Sequence, residues 1–486
     1  MEFIENKEEE QRQLNGIFKD ILKYSPSKVV GTIGNAIIVP VYTSLLPPEQ
    51  YGIYSLSIAF LSFLCIIFSD WVGLSGLRFF RQHQLAQDLS KYLSVLVSIL
   101  TINITMMFIL CLIFQANFCS FFKIHPKYFF AVLFLIIPVA IRALLFQILR
   151  AQLKSTSYTF STILNQFMTI GFSIFFIKYF HMGAIAMLLA MGISISLTDL
   201  LLIYQSKIYI FFRRPKLQWS VLFPIIIYGI PIAATSLSTW IINQSNKFIM
   251  NNISGFKDVA FVGVAYSVTL PLLMTIFSII TIAVVPRVIR MYEAKIDVRP
   301  IISRFTGYYI LISIPVVTVM ALYASDFVNM LANPKFHQAF RLIPYFAFGT
   351  FFMGLADYTT LQYHLANKTY IEFIIKLISG ILNMVLTITL IPKFGLEGVG
   401  IATLVGNFVY LFLSTIIVLP KLGILYPFKQ LGLIFISFIP FYFLYEGMTK
   451  GTFNIPAGIQ MLSLLGIFYA VYFLMRYLTN KAIKNN

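Results

Sequence analysis

The chain has 486 residues, of which 59% are hydrophobic and only 11% are charged. A soluble domain carries about 25% charged residues, so this composition indicates an integral membrane protein. Its apolar runs are continuous rather than alternating, which excludes an outer-membrane barrel. The net charge of +18 lies mostly in short loops, and no basic domain stands apart from the apolar runs, which excludes a nucleic-acid partner.

The apolar runs predict an all-α fold of about fourteen transmembrane helices. Each run has about 19–27 residues, which is enough to cross roughly 30 Å of hydrocarbon at 1.5 Å per residue. A polar segment, residues 1–24, precedes them and is expected to be cytoplasmic. The predicted spans lie near residues 25–46, 51–75, 92–116, 128–149, 157–178, 183–204, 221–246, 259–285, 305–328, 338–362, 370–391, 396–419, 428–446 and 457–478.

Lys and Arg are distributed unevenly between alternate loops, about 24 in one set and about 8 in the other. Because basic loops stay on the cytoplasmic side, the first set is expected to be cytoplasmic. An even number of spans then places both termini in the cytoplasm. The loops of the other set have at most about a dozen residues. They leave no room for a catalytic domain outside the membrane, so the sequence does not predict an enzyme.

A weak internal repeat lies at an offset of about 212 residues. The matches, in order, are 53–57 with 265–269, Arg78 with Arg290, 154–158 with 366–370 and, after a slip of three residues, 182–186 with 397–401. They predict that spans 1–6 recur as spans 7–12 in the same orientation, around a shared cavity. The predicted units are 25–205, a linker at 206–220, 221–420, and a C-terminal helix pair at 421–486.

Four cations remain inside the predicted spans, Lys28, Arg142, Lys247 and Lys376. A charge in hydrocarbon costs roughly 2.5–3.5 kcal/mol on insertion scales, and such residues are typical of functional cavities. We interpret the four as candidate substrate-binding residues of a cationic cavity that binds an anion such as a phosphate. The simpler alternatives are snorkelling to an interface and pairing, as Lys376 can pair with Glu372 four residues away.

Further polar positions are candidates for coupling or gating. They are Asp70 and Asp199 within spans, and the repeat-related Arg78 and Arg290. The run 235–247 combines hydroxyls, amides and Trp240, which is typical both of a sugar contact and of a helix-packing seam. The sequence has no Walker, HExxH or GxSxG motif and no metal-ligand spacing among its three cysteines. It therefore predicts no cofactor and no metal site.

Several motifs resemble the polysaccharide transporters of the multidrug/oligosaccharidyl-lipid/polysaccharide exporter superfamily, and above all its Wzx-type O-antigen flippases. They are 46–54 (LPPEQYGIY), 70–74 (DWVGL) with Arg78, 228–231 (YGIP), 246–248 (NKF) and 391–398 (IPKFGLEG). The resemblance implies MATE-like N and C lobes of six helices each around a central cavity, with two further helices at the C-terminus.

The first predicted span also resembles that of the lipid II flippases, at 27–31 (SKVVG) and 35–39 (NAIIV). In that family an Arg stands at the position of Lys28 and a second Arg at that of Gly34. Many relatives carry an Asp-Arg pair at the positions of Asn246 and Lys247. Here the acid of that pair is absent, which makes the expected cavity more positive.

The resemblance implies a flippase that works by alternating access in the bacterial inner (cytoplasmic) membrane. Its cargo would be an undecaprenyl-pyrophosphate-linked oligosaccharide, carried from the cytoplasmic to the outer leaflet with the lipid tail in the bilayer. Membrane lipids and glycan polymerase or export proteins would be its partners. The alternative is a MATE-like ion-coupled multidrug antiporter, which requires Asp70 or Asp199 to face the cavity.

Overall fold

The computed structural model describes residues 32, 34, 36–152, 154–206, 218–419, 422, 427–449 and 456–485. Every regular element in this part of the chain is a helix, as expected where lipid forces each peptide group to find its partner within its own segment. Thirteen of these helices are long and apolar enough to cross a bilayer. The first predicted span is represented by α1, Ala36–Leu45, and its Lys28 lies outside the described residues.

The first half of the chain, here called the N lobe, consists of α1 to α7. The helix α2 winds more widely, as a π-helix, at Ile66–Asp70 before it continues. The bounds after α1 are α2 Pro48–Leu85, α3 Leu89–Ile113, α4 Gln115–Phe122, α5 Pro126–Ala151, α6 Ser155–Phe180 and α7 Ala184–Ser206.

The second half, here called the C lobe, consists of α8 to α14 and is followed by a helix pair, α15 and α16. A stretch of 3₁₀-helix, Pro334–Leu342, leads into α12. The bounds are α8 Trp219–Ile253, α9 Phe256–Glu293, α10 Arg299–Leu322, α11 Ala324–Leu331, α12 Ile343–Leu365, α13 Thr369–Phe394, α14 Leu396–Ile416, α15 Phe428–Thr449 and α16 Ala457–Asn485.

The lengths of the helices recur in the two lobes. Both α2 and α9 have 38 residues, both α4 and α11 have 8, and both α6 and α13 have 26. Packing partners also recur, because α5 and α6 pack on α7 in the N lobe and α12 and α13 pack on α14 in the C lobe. This recurrence supports the internal repeat, whereas the limits at residues 205, 220 and 420 stay predictions.

One end of the bundle gathers the turns that the charge pattern predicts to be outward, and we call it the predicted outer end. Three hydrogen bonds connect its turns. The backbone amide of Asn333 donates to Thr43 Oγ1 at 3.0 Å, and the backbone amide of Ala184 donates to Gln50 Oε1 at 3.0 Å. Lys123 Nζ donates to the Asn252 carbonyl at 3.5 Å. The opposite end is the predicted inner end.

Candidate functional site

The two lobes meet where α2 crosses α9 at the predicted outer end. A Cβ on Gly52 would overlap the carbonyl oxygen of Phe256, and a Cβ on Gly263 would overlap the hydroxyl of Ser55. Glycine at these positions therefore lets the two equivalent helices approach at backbone distance. This crossing, which we call the outer seam, closes the space between the lobes at that end.

A second contact between the lobes joins α8 to α2. The indole N–H of Trp240 donates to the Ala59 carbonyl and contacts Ser62 Oγ, each at 3.0 Å, and the ring packs 5.1 Å from that of Phe63. Trp240 is only 9% exposed. Of the two interpretations of the run 235–247, the structure supports a packing seam for Trp240.

Lys247 lies close to the outer seam and is 6% exposed. Its Nζ atom stands 5.8 Å from the centre of the Tyr266 ring on α9, one turn from Gly263. Among the described residues it has no ion-pair or hydrogen-bond partner, so a cation–π contact is its main electrostatic support. The side-chain carbonyl oxygens of the neighbouring Gln244 and Asn246 are also buried without a donor.

Arg142 is held inside the N lobe rather than left free. Its Nε atom donates to Asp199 Oδ1 at 2.9 Å, and its Nη2 atom donates to the Ile195 carbonyl at 3.1 Å and contacts the hydroxyl of Thr198. The side chains of Arg142 and Asp199 are 11% and 5% exposed. Two residues predicted for separate roles thus form one buried ion pair between α5 and α7.

We expect Arg142→Met to lower stability by about 3–5 kcal/mol, because it leaves the carboxylate of Asp199 buried and unpaired. The double variant Arg142→Met/Asp199→Asn should recover most of this loss. Denaturant unfolding of the full chain in mixed micelles measures both effects. The matched control is Arg150→Met, at the exposed end of the same helix. An Arg142→Met variant as stable as the wild type would show that the pair contributes nothing.

Lys376 lies in a buried cluster of the C lobe. Its Nζ atom is 2.7 Å from Glu372 Oε1 on the same helix and 3.3 Å from Asp357 Oδ1 on α12. The other Glu372 oxygen is 2.6 Å from His364 Nε2, and Tyr410 of α14 donates to Asp357 at 2.7 Å. We call these five residues the C-lobe charge cluster.

The remaining predicted residues lie apart from one another. Asp70 ends the π-helical turn of α2, where Ser69 donates to it at 3.3 Å. Arg78 and Arg290 are exposed toward the predicted inner ends of α2 and α9. The three described cations, Lys247, Arg142 and Lys376, have separate sets of neighbours, so the structure does not gather them into one cluster.

The position that carries a second Arg in the lipid II flippases is filled differently here. A Cβ on Gly34 would overlap the side-chain amide of Gln166 on α6. The amide occupies the space into which a longer residue at position 34 would extend. The absence of that cation is therefore matched by the close approach of Gln166 to Gly34, just before α1.

Most members of the C-lobe charge cluster escaped the sequence-based selection. The Glu372–Lys376 pair follows from i,i+4 spacing, whereas Asp357, His364 and Tyr410 are not among the candidate residues from the sequence. One signal was present, because Asp357 and His364 are seven residues apart and therefore share a helix face.

Comparison with known proteins gives the family. The model of the family described as "Polysaccharide biosynthesis protein" matches residues 17–292, more than half of the chain. The uncharacterized membrane protein MJ1068 of Methanocaldococcus jannaschii is 30% identical over 105 residues, which cover 21% of this chain and 20% of that protein.

Two solved structures share the fold. The lipid II flippase MurJ in an inward closed conformation has a TM-score of 0.71 at 17% identity and covers 94% of this chain and 97% of its own. A multidrug resistance MATE family transporter of the MOP superfamily, in an inward-facing conformation, has a TM-score of 0.68 at 15% identity and covers 80% and 92%. The fold is thus that of MATE and MurJ, and the chain belongs to the polysaccharide biosynthesis protein family.

Proposed function

We propose that this chain is a flippase that moves an undecaprenyl-pyrophosphate-linked oligosaccharide from the cytoplasmic to the outer leaflet of the bacterial inner membrane. Both termini would be cytoplasmic, and the lobes would alternate between inward and outward openings. The family match supports a glycan-related cargo, and the fold supports transport. The observation that carries the proposal is Lys247, a buried cation without a described partner beside the outer seam.

A buried unpaired ammonium lowers stability, so its presence calls for a functional reason. Lys247 contacts the ring of Tyr266, which lies one turn from the place where α9 crosses α2 at Gly263. Separation of these helices would uncover it to the space between the lobes. A pyrophosphate there would bind the Lys247 ammonium, a point charge, and the unpartnered side-chain oxygens of Gln244 and Asn246 would accept hydrogen bonds from hydroxyls of the glycan. Lys28 remains a proposed second cation.

Arg142 and Lys376 fit this role less well, because each already contacts a carboxylate. We assign them to the support of their lobes in the conformation described. The cationic site is then smaller than the four residues suggested by the sequence. It centres on Lys247 in the C lobe.

A second candidate function, the ion-coupled drug antiporter, has one observation in its favour. Asp70 is a partly buried carboxylate that, among the described residues, pairs with no cation. It lies at a π-helical turn, a feature found frequently at functional sites. Asp199 does not serve this function in the present conformation, because Arg142 holds it.

The test is complementation of host cells that lack the gene. We expect the deletion to remove the surface glycan and to accumulate lipid-linked oligosaccharide in the inner membrane, and the wild-type gene to restore both. Lys247→Met should restore less than about a tenth of the glycan at normal protein level and without loss of thermal stability, since it removes an unpaired buried charge.

The matched control is Lys257→Met, an exposed lysine at the start of α9, which should restore export fully. Full restoration by Lys247→Met would contradict the assigned site. A deletion that leaves the glycan intact and changes the sensitivity of the cells to cationic drugs would favour the antiporter instead.

A further inference from the structure

The C-lobe charge cluster runs from the surface of the predicted inner end into the lobe. The side chain of His364, next to the last residue of α12, is 52% exposed, whereas that of Glu372 is 6% exposed. Lys376, at 10%, follows, then Asp357, which is 24% exposed, and the fully buried Tyr410. Consecutive members are 2.6, 2.7, 3.3 and 2.7 Å apart. The cluster is thus a continuous polar path through apolar surroundings.

The charges of the cluster balance only when a proton is added. Two carboxylates, Glu372 and Asp357, face one ammonium, that of Lys376. With a neutral imidazole the cluster keeps one negative charge in a poorly solvated site, which is unfavourable. Protonation of His364 makes it neutral. Histidine is the side chain whose charge ordinarily changes between about pH 5 and pH 8.

Among the described residues, the other titratable groups that face the cluster are tyrosines. They are Tyr309 on α10 and Tyr358 and Tyr363 on α12, in addition to Tyr410 of the cluster itself. A tyrosine is neutral near pH 7, so none of them supplies the missing positive charge. His364 is the member of the cluster that can do so by binding a proton.

The helix α9 connects the part of the cluster farthest from His364 with the outer seam. Tyr358, the residue after Asp357, packs its ring 5.1 Å from that of Phe277 on α9, and Leu270 and Met274 of the same helix pack against the hydrophobic cluster that includes Met353 and Tyr410. That helix crosses α2 at Gly263. The helix α9 therefore connects α12 with the contact between the lobes, and a shift of α12 after a change of charge at Asp357 and Lys376 would act on that contact through α9.

We propose that the C-lobe charge cluster is a proton-binding site, loaded through His364 from the predicted inner face, and that its occupancy sets the arrangement of the two lobes. The proposal assumes a transporter with moving lobes but no particular cargo. Its test uses no cargo, so failure of the glycan assignment would leave it unaffected.

The first experiment measures the arrangement of the lobes as a function of pH. Nitroxide labels are attached through Lys178→Cys on α6 and Lys393→Cys on α13, two exposed lysines at the predicted outer end, after Cys65, Cys111 and Cys119 are replaced by alanine. Pulsed electron spin resonance of the full chain in nanodiscs then gives the distance between the labels. We expect this distance to change by more than about 2 Å between about pH 5.5 and pH 8.

The variant His364→Gln should give one distance distribution at both pH values. The matched control is His337→Gln, another C-lobe histidine, whose ring contacts Asn329 Oδ1 at 2.9 Å rather than a carboxylate. It should keep the pH-dependent change. Two outcomes would overturn the proposal. One is a label-to-label distance that does not change with pH in the protein with an intact cluster, and the other is a pH-dependent change in His364→Gln as large as in that protein.

The second experiment observes the proton directly. The chain has five histidines, and ¹³Cε1 labelling resolves each resonance, with His364 assigned from the His364→Gln spectrum. We expect Glu372→Gln to move the titration midpoint of His364 and to leave those of the other four histidines in place. An unmoved midpoint would show that Glu372 does not share the proton, and the site would be rejected.

Discussion

Replacing Lys376 with methionine should destabilise the protein by about 3–5 kcal/mol, one of the largest effects expected from a single substitution in this chain. The ammonium is the shared partner of Glu372 and Asp357 at 2.7 and 3.3 Å. Its removal leaves the buried carboxylate of Glu372 and the partly buried one of Asp357 without their shared cation, so that they repel each other. Denaturant unfolding in mixed micelles, followed by circular dichroism, measures the loss.

Two controls separate charge from packing. The triple variant Lys376→Met/Glu372→Gln/Asp357→Asn keeps similar volumes without charge and should recover most of the stability, because well-packed neutral groups replace a buried ion network at little cost. Lys393→Met, an exposed lysine on the same helix, should change nothing. If Lys376→Met unfolded at the wild-type denaturant concentration, the carboxylates would not depend on it.

A large effect on the arrangement of the lobes is expected at the outer seam, from Gly52→Val. The new Cβ would overlap the backbone carbonyl of Phe256, which cannot move away by a side-chain rotation. Overpacking of this kind costs about 1–3 kcal/mol. If this cost destabilises only the closed arrangement, the equilibrium between the closed and open arrangements shifts by about 5–150-fold. The lobes should therefore separate at the predicted outer end.

The readout is the reactivity of Ser55→Cys, a buried position of α2 at the seam, in a chain without its native cysteines. A membrane-impermeant thiol reagent, added outside intact cells, should label it about 5–150-fold faster in the Gly52→Val background. Gly171→Val is the matched control, since a Cβ at Gly171 meets no atom within 4 Å. Equal labelling rates in the Gly52→Val and Gly52 backgrounds would show that this crossing is no gate.

The apolar runs predict about fourteen spans, and thirteen described helices are long and apolar enough to cross a bilayer, because the length of an apolar run reports the thickness of hydrocarbon. Helix ends could not be predicted, because a helix continues beyond the lipid. The span predicted at 259–285 belongs to α9, Phe256–Glu293. The span predicted at 92–116 ends as α3 at Ile113, and α4 begins at Gln115. Hydropathy does not register this break, because both sides of it are apolar.

The candidate site could be predicted only in part, for a similar reason. Spacing along one helix identifies the Glu372–Lys376 pair. The partner of Arg142 is 57 residues away on another helix, so Arg142 and Asp199 were assigned separate roles. Only helix packing brings them together. The unpartnered state of Lys247 also depends on its neighbours in space. The sequence thus identifies the embedded charges, and the structure decides which of them are paired.

The most direct measurement of the central claim is flipping by the purified full chain in sealed vesicles. The probe is the lipid-linked oligosaccharide extracted from the host membranes, inserted into both leaflets, and its glycan is detected with a membrane-impermeant glycosidase. If the chain is a flippase, it should raise the cleavable fraction of the lipid-linked oligosaccharide from about half to nearly all, because it moves the molecules of the inner leaflet to the outer leaflet. A cleavable fraction that stays at the level of protein-free vesicles would contradict the account.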